Sequence, residues 1–458
     1  MEKRESFASR LGFILISAGC AIGLGDVWRF PFITGKYGGG LFVLVYLVFI
    51  IILGLPIMSM ELAVGRASRQ SIATSFTVLE KKGQKWHWMG YAGMAGNYIL
   101  MMFYTTVASW MLAYFFKMLT GRFVGLDTQQ VNAVFEELQA SPGEMTLWMV
   151  ITTVFCFAVC SFGLQEGVEK VTKIFMVLLL AIIIVLAVRS VTLPNAAEGL
   201  KFYLLPDFGR VKESGIWEVI YAAMSQAFFT LSIGIGSLAI FGSYIGRERA
   251  LLGESINIAA LDTAISIIAG LIIFPACSSF GVDPGSGPGL VFVTLPNIFN
   301  SMAGGRIWGS LFFIFMTFAA YSTVIAVFEN IISFAMDLWG WSRKKAAFVN
   351  TILLIVLSMP CILGFNVWKG FQPFGPGSGV LELEDFIISN NLLPLGSLIY
   401  VLFCVSRYGW GFDNYMEEVN AGEGAKMPRS LKWYLTWVLP AIIIIVLIQG
   451  YVDMFLKK

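Results

Sequence analysis

The sequence predicts an all-α integral membrane protein of about eleven transmembrane helices, folded as a single domain over residues 1–458. Of the 458 residues, 57% are hydrophobic and only 13% are charged, whereas soluble domains carry about 25% charged residues. Apolar runs of the roughly 20 residues that cross a bilayer recur along the chain. Two of these runs contain glycine clusters, "GCAIGLG" at Gly19–Gly25 and "TLSIGIGS" at Thr230–Ser237. Together these observations predict a multi-pass fold with two interrupted helices.

Eleven apolar runs cover most of the chain and leave little room for a soluble domain. The second run is the clearest, because no charged residue occurs between Tyr37 and Met60. The predicted spans are residues 11–36, 38–65, 88–120, 146–162, 168–190, 217–246, 254–281, 305–336, 345–364, 384–406 and 431–453.

The two glycine clusters lie five spans apart, in the first and sixth spans. This spacing predicts two five-helix repeats of inverted topology, at about 11–190 and 217–406, followed by an extra helix at about 431–453. Matched glycine interruptions of this kind indicate the substrate site of a secondary transporter. Glycines can instead serve close helix packing, but two matched clusters beside polar residues favour the transporter interpretation.

Basic residues in the short loops predict the orientation, because cytoplasmic loops are enriched in Lys and Arg. A cytoplasmic N-terminus places most of these residues on the cytoplasmic side. They are Lys3, Arg4, Arg10, Arg66, Arg69, Lys81, Lys82, Lys85, Arg343, Lys344 and Lys345. We expect a multi-pass protein of the plasma membrane, specifically a bacterial inner membrane, without a cleavable signal peptide.

Composition and motifs argue against several other classes of protein. A net charge of +2 is too small to indicate a nucleic-acid partner. The six cysteines lie in apolar runs and the single histidine, His87, stands apart from them, so no metal cluster is indicated. The chain has no Gly-Lys-Ser/Thr phosphate loop and no histidine-based nucleophile system, so we expect no enzyme. It also lacks the filter repeat of an ion channel.

A helix that is broken inside the membrane has unpaired peptide groups at the break. The free N–H groups attract an anion such as a carboxylate, and the free C=O groups attract a cation. Irregular backbone at this depth is tolerated only where it is buried or lines a cavity. Two facing breaks would therefore suit a zwitterion together with metal ions, and an amino acid fits that description.

Five motifs make the sequence similar to a known family. They are "RLGFILISAGCAIGLGDVWRFP" in the first span, "GGG" at 38–40, "ELAVGR" at 61–66, "QAFFTLSIGIGS" at 226–237 and "GPGLVFVTLP" at 287–296. These motifs resemble the neurotransmitter:sodium symporter family, and most closely its bacterial amino-acid branch, which is leucine-transporter-like. The resemblance extends from Arg4 to the tenth span and implies ten helices in two inverted repeats plus one or two more.

The resemblance implies a substrate site between the two breaks. The carboxylate would meet the backbone amides of Leu24 and Gly25 and the hydroxyl of Tyr104. The amine would meet the carbonyls of Ala21, Phe229, Thr230 and Ser232. The side-chain pocket would be lined by Leu100, Val107, Phe229, Ile235, Val324 and Val327.

Two sodium ions are implied as well. The ligands of the first would be the substrate carboxylate, the Ala21 carbonyl and the side chains of Asp26, Thr230 and Asp262. The ligands of the second would be the carbonyls of Gly19, Ile22 and Ala319 and the hydroxyls of Ser322 and Thr323. Ala319 and Thr323 are four residues apart, hence on one helix face, and hard cations prefer oxygen ligands. The alternative is a Ser/Thr pair that bonds its own helix.

Charged pairs at the two ends would form the gates. The gate residues are Arg29 and Asp385 on the outside, above a lid of Tyr104 and Phe229, and Arg4, Asp337 and Tyr244 on the inside. Phe7 would anchor the N-terminal segment, and residues 294–305 would cap the outer vestibule. Arg29 needs a partner or water in any case, because it is a charge within the membrane. The alternative is that Arg29 forms a static ion pair that only holds the fold together.

Gly23 and the apolar pocket refine the expected substrate. Gly23 stands where monoamine transporters carry an aspartate, and it leaves room for the substrate's own carboxylate. The pocket offers no charged group to a charged side chain. Neutral hydrophobic or aromatic amino acids are therefore expected.

Two aspartates refine the expected ion coupling. Asp262 stands where chloride-dependent relatives have an asparagine, beside residues that resemble their chloride pocket, which are Tyr46, Gln226 and Ser266. Because a fixed carboxylate can replace the charge of chloride, we expect chloride-independent transport. Asp26 stands where the resemblance leads us to expect an asparagine. Two aspartates and a substrate carboxylate around one sodium ion are net negative, so one acid could hold a proton. Proton coupling or proton antiport is therefore an alternative.

The expected function is sodium-coupled import of a neutral amino acid by alternating access. A non-transporting amino-acid sensor of the same fold is a further alternative. The candidate gate pairs argue against that alternative, since a sensor needs no gates.

Overall fold

The computed structural model describes residues 5–209, 215–282 and 289–455. These residues form helices and loops without a β-strand, and the extended backbone pairs only in two isolated bridges, Gly39–Pro206 and Arg249–Glu423. The predicted all-α class is therefore confirmed over the part of the chain that the structure describes. Arg4, the predicted partner of Asp337, lies outside these residues.

Nine helices in the described residues are long and apolar enough to cross a membrane, and a bent pair makes a tenth. The continuous spans are Gly40–Ser68, Trp88–Leu119, Pro142–Ser161, Leu164–Val191, Leu251–Ser279, Gly305–Trp339, Arg343–Gly364, Val380–Val405 and Arg429–Val452. The bent pair, Arg10–Ala21 and Gly25–Lys36, turns through 55° and forms the first span. Shorter helices connect the spans, at Ile72–Leu79, Thr128–Ala140, Ala196–Leu204, Leu295–Ser301 and Phe412–Val419.

The sixth predicted span explains why length and composition identify ten spans where the sequence predicts eleven. It is helical at Ile216–Thr230 and again at Ala239–Ser243, with non-helical backbone between the two pieces. Each piece is too short to cross a bilayer alone. The spans are numbered here from first to eleventh with this broken helix as the sixth.

Both predicted interruptions are confirmed, and the backbone shows how each one forms. The first helix ends at Ala21, because Ile22 adopts an extended ψ of 102°, and helical structure resumes at Gly25. In the sixth span, Ser232, Gly234 and Gly236 have positive φ values of 50°, 107° and 76°. Glycine adopts such values readily because it lacks a Cβ.

Capping residues move some helix starts away from the predicted boundaries. The fourth span begins at Pro142 rather than 146, because the Ser141 hydroxyl accepts the Glu144 N–H and proline suits the first turn. The ninth begins at Arg343 after a similar cap by Ser342. These caps lengthen the helices at their N-terminal ends without changing which segments cross the membrane.

The eighth span forms the centre of the bundle and is the most deeply buried of the nine continuous spans. It packs along the third span, and the first half of the broken first span packs against it. The fifth and eleventh spans lie at the periphery and expose many apolar side chains. This arrangement places the first half of the first span beside the central helix, and Asn330 of the central helix reaches the break of the sixth span.

Candidate functional site

A small cavity of about 20 Å³ lies between the breaks of the first and sixth spans. Its lining residues are Ala21, Gly23, Gly25, Leu100, Tyr104, Phe229, Ser232, Ile235, Thr323, Ile388 and Leu393. Seven of the predicted substrate residues therefore line this cavity: Ala21, Gly25, Leu100, Tyr104, Phe229, Ser232 and Ile235. The other predicted substrate residues are buried but do not line it, namely Leu24, Val107, Thr230, Val324 and Val327. Ile388 and Leu393 of the tenth span were not predicted.

The break of the first span faces Tyr104 at close range. The Leu24 N–H donates a hydrogen bond of 3.1 Å to the Tyr104 hydroxyl. A Cβ at Gly23 would lie 2.4 Å from that hydroxyl and 2.7 Å from the Thr323 hydroxyl. A Cβ at Gly25 would lie 2.9 Å from the Phe229 ring. Side chains are therefore excluded here, and the bare peptide groups of the break are left to face the cavity.

Five oxygen atoms converge where the eighth span passes the first break. The Thr323 hydroxyl lies 3.3 Å from the Gly19 carbonyl oxygen and 3.1 Å from that of Ile22. The Ser322 hydroxyl lies 2.8 Å from the Ala319 carbonyl and 3.5 Å from that of Ile22. These contacts are now hydrogen bonds, but the same hard oxygens could coordinate a hard cation in their place.

Two fully buried aspartates lie on the other side of the first break. Asp26 accepts the Gly23 N–H at 3.0 Å and the Ser266 hydroxyl at 2.5 Å. Neither carboxylate oxygen of Asp262 has a hydrogen-bond partner, and Asp262 interacts electrostatically with Asp26. A buried charge without a partner is costly, so this pair requires a cation or a proton.

Two of the three residues that resemble a chloride pocket, Tyr46 and Ser266, lie beside these aspartates, and the third, Gln226, bonds the two breaks. Ser266 bonds Asp26, and the Tyr46 hydroxyl is near enough to both acids to interact electrostatically with them. The Gln226 side chain donates to the Gly25 carbonyl at 2.9 Å and to the Thr230 hydroxyl at 2.8 Å. Gln226 therefore links the two breaks directly.

The predicted outer gate residues Arg29 and Asp385 form no ion pair within 4 Å in this structure, although they are near enough to interact electrostatically. Arg29 places its guanidinium 4.2 Å from the centre of the Phe229 ring, a cation–π contact. Asp385 instead accepts a hydrogen bond of 2.7 Å from Ser389. The Arg29 Nη1 atom is buried without a hydrogen-bond partner. Arg29 thus contacts the predicted lid residue Phe229 rather than Asp385.

An aromatic cluster lies at the same end, directly before the predicted outer loop of residues 294–305. Phe292 packs against the rings of Trp28, Trp110, Tyr114 and Phe135 at 4.8 to 6.2 Å. Trp28 directly precedes Arg29. The segment that leads into the predicted loop is therefore in contact with the second half of the first span.

The opposite end carries the N-terminus and the predicted inner gate. Asp337 accepts the Ser71 N–H at 2.7 Å, and its predicted partner Arg4 lies outside the described residues. The Tyr244 hydroxyl donates to the Glu329 carboxylate at 2.6 Å. The Phe7 ring packs on Tyr244 at 5.8 Å, which places the predicted anchor beside the predicted gate.

An ion-pair network at this end was missed by the sequence analysis. Arg343 binds Glu329 at 2.6 Å and Glu5 at 3.1 Å, so it connects the eighth and ninth spans to the N-terminal segment. Glu329 is fully buried in the eighth span. An ionisable residue inside a predicted span is a signal in itself, and it could have identified Glu329.

Three buried polar residues that support the sixth-span break were also missed. Glu61 accepts the Gly234 N–H at 3.4 Å, and the Asn97 amide donates to the Ile235 carbonyl at 2.9 Å. Asn330 donates to the Gly236 carbonyl at 3.2 Å. These side chains replace hydrogen bonds that the helix would otherwise make. Glu61 lies in the "ELAVGR" motif, to which the sequence analysis assigned no role.

Comparisons with known proteins agree with this geometry. A model of the sodium:neurotransmitter symporter family matches residues 4–139 and 127–457. An uncharacterized sodium-dependent transporter of Bacillus subtilis is 31% identical over 98% of both chains. The sodium-dependent serotonin transporter of Drosophila melanogaster is 27% identical, over 98% of this chain and 77% of that one. The crystal structure of MhsT in complex with L-phenylalanine matches with a TM-score of 0.87 and 38% identity, over 98% of this chain and all of MhsT.

Proposed function

Because the chain belongs to the sodium:neurotransmitter symporter family, we propose that it imports neutral hydrophobic or aromatic amino acids. The protein is a sodium-coupled, multi-pass membrane transporter, and not an enzyme. The observation that carries the proposal is the cavity between two helix breaks, with a separate set of oxygen atoms on either side. That arrangement offers peptide dipoles to a zwitterion and hard ligands to cations.

The substrate carboxylate faces the amides of Leu24 and Gly25 and the Tyr104 hydroxyl, while carbonyls of the sixth-span break receive the ammonium group. Gly23 supports this orientation, since a side chain there would occupy the space beside Tyr104. The remaining wall is mostly apolar and supports a neutral side chain. MhsT, which this chain resembles, was solved with L-phenylalanine.

Two sodium ions accompany the substrate in this proposal. One lies at Asp26, Asp262 and Thr230, and the other at the oxygens around Ser322 and Thr323. A membrane potential of ~100 mV contributes about 2.3 kcal/mol per ion, and a roughly tenfold sodium gradient contributes about 1.4 kcal/mol. Two ions then supply about 7 kcal/mol, enough for roughly 10⁵-fold accumulation.

Asp262 supports chloride-independent transport, because it brings beside Tyr46 a carboxyl group that can carry the negative charge chloride would otherwise supply. The same observation favours a second candidate function. Two aspartates and a substrate carboxylate carry three negative charges against the one positive charge of a sodium ion, so a proton carried on the pair would reduce the excess negative charge. Proton-coupled or proton-antiporting transport is that second candidate.

Transport proceeds by alternating access, with the N-terminus in the cytoplasm of a bacterium and the protein in its inner membrane. The lid and the outer loop close over the bound substrate. The N-terminal segment and the first half of the first span then separate from the bundle and release substrate and sodium into the cell.

The test is uptake of radiolabelled amino acids into proteoliposomes that contain the purified protein. We expect uptake of leucine, phenylalanine or tryptophan under an inward sodium gradient, no uptake with choline, and unchanged uptake when gluconate replaces chloride. Lysine or aspartate as the best competitor in a 20-amino-acid panel would contradict the substrate proposal. Binding without counterflow would support a sensor, and uptake that varies between pH 5.5 and 8.5 would favour proton coupling.

A further inference from the structure

We infer that the tenth span supplies a specificity-determining wall of the substrate site, formed by Ile388 and Leu393. Both residues line the cavity between the two breaks, and both are almost fully buried. This inference rests on the proposed function, since it concerns which amino-acid side chains the site accepts.

The tenth span is irregular at the place where it meets the cavity. From Phe386 to Leu392 it forms a wide π-helical turn, flanked on both sides by regular α-helix. Such turns accommodate an extra residue and occur frequently at functional sites. Ile388 lies within the turn and Leu393 directly follows it, so the irregular segment is the part that reaches the cavity.

The tenth span also packs directly on the broken sixth span. A Cβ at Gly234 would lie 2.2 Å from the Leu393 carbonyl oxygen, and a Cβ at Gly396 would lie 1.8 Å from the Gly234 carbonyl oxygen. The two backbones therefore touch without an intervening side chain. The position of Leu393 is consequently set by the same break that offers its carbonyls to the cavity.

Because the cavity is small, the apolar residues that line it determine which substrate side chains can enter. Its volume is about 20 Å³, whereas an apolar cavity that binds a benzene ring measures about 150 Å³. An aromatic substrate side chain can therefore enter only if the apolar residues that line the cavity move apart. Leu100 and Ile235 come from the third and sixth spans, and Ile388 and Leu393 complete the apolar wall from the tenth. The volume of Ile388 thus limits how large a side chain can enter.

The experiment compares kcat/KM for tryptophan and for leucine in proteoliposomes. In Ile388→Ala we expect the tryptophan-to-leucine ratio to rise by about tenfold or more, since even one methylene in a binding pocket can change selectivity that much. Ile388→Phe should lower the ratio. Ile387→Ala is the matched control, because Ile387 is the half-buried neighbour in the same turn and does not line the cavity. Its ratio should equal that of the wild type.

The outcomes separate this inference from the proposed function. If the wild type imports no neutral amino acid, the proposed function fails and this inference fails with it. If the wild type imports them and Ile388→Ala leaves the ratio unchanged, or changes it no more than Ile387→Ala does, the inference alone is overturned. Should Ile388→Ala not purify as a folded protein, Ile388→Val and Leu393→Ala provide the same comparison, with the same direction expected.

Discussion

At the scale of single residues, one of the two proposed ion sites depends on hydroxyl groups that could otherwise bond their own helix. Ser322 and Thr323 follow a helical Ala-Ala-Tyr stretch, and the sequence alone allows both to bond the preceding turn. In the structure Ser322 does bond Ala319, while Thr323 reaches across to the first span. Removing the Thr323 hydroxyl therefore tests whether this residue is an ion ligand or an ordinary helix residue.

Replacing Thr323 by valine keeps the side-chain volume and removes this hydroxyl. We expect the sodium concentration for half-maximal uptake to rise roughly tenfold, which corresponds to about 1.4 kcal/mol, because one of five ligands is lost. Thr317→Val is the matched control, since Thr317 is buried in the same helix and its hydroxyl bonds only the Phe313 carbonyl. Equal sodium dependence in the two variants would exclude Thr323 as a ligand.

At the scale of secondary-structure elements, the sixth span is held open by polar side chains from three other spans. Glu61, Asn97 and Asn330 come from the second, third and eighth spans and bond peptide groups between Gly234 and Gly236. An unpaired buried peptide group costs roughly 1–3 kcal/mol. The break is therefore stabilised by tertiary contacts as well as by its glycines.

Glu61→Leu should lower the free energy of unfolding by about 1–3 kcal/mol, because the Gly234 N–H loses its acceptor. A lower Tm of the purified protein in detergent measures the effect, and Glu61→Gln, which keeps an acceptor oxygen, should restore much of it. Glu166→Leu serves as the control, since Glu166 forms only an exposed ion pair with Lys170, and such pairs contribute little. A Glu61→Leu protein as stable as the control would show that the break does not need this carboxylate.

The sequence predicts where the helices break better than it predicts what surrounds the breaks. Glycine clusters and hydrophobic runs are local signals, and both interruptions were found within a few residues of their predicted positions. The partners of the sixth-span break come from distant spans, so no local pattern pairs Glu61 with Gly234. The π-helical turn that brings Ile388 to the cavity is likewise invisible, because one extra residue hardly changes the hydrophobic periodicity of an apolar span.

At the scale of the whole molecule, different sets of interactions hold the two ends of the bundle. The end that carries the N-terminus is held by ion pairs and hydrogen bonds, including those of Arg343 with Glu329 and Glu5. At the other end, aromatic rings pack around Phe292 and Lys117 forms an ion pair with Glu144, while Arg29 and Asp385 form no ion pair with each other. Alternating access requires each end to open in turn. The polar network at the N-terminal end is therefore expected to control release.

Tyr244→Phe tests this control, because it removes the hydroxyl that bonds the buried Glu329 carboxylate. A hydrogen bond to a charged group contributes about 1.5–3 kcal/mol, so we expect the N-terminal end to open roughly tenfold more often. All six native cysteines are buried, and Cys20, which shares the first half of the first span with Ser17, is replaced by serine. A Ser17→Cys substitution in that background reports opening of this end by its rate of thiol labelling. Labelling should accelerate in Tyr244→Phe. It should slow again when sodium is added, since in the proposed mechanism sodium bound at the first-span break favours the state in which the N-terminal end is closed. Tyr98→Phe is the control, because it removes a hydrogen bond to Asn350 between the third and ninth spans, and it should leave the labelling rate unchanged. Equal acceleration in both variants would mean that the labelling rate reports a general loosening of the bundle rather than opening of this gate.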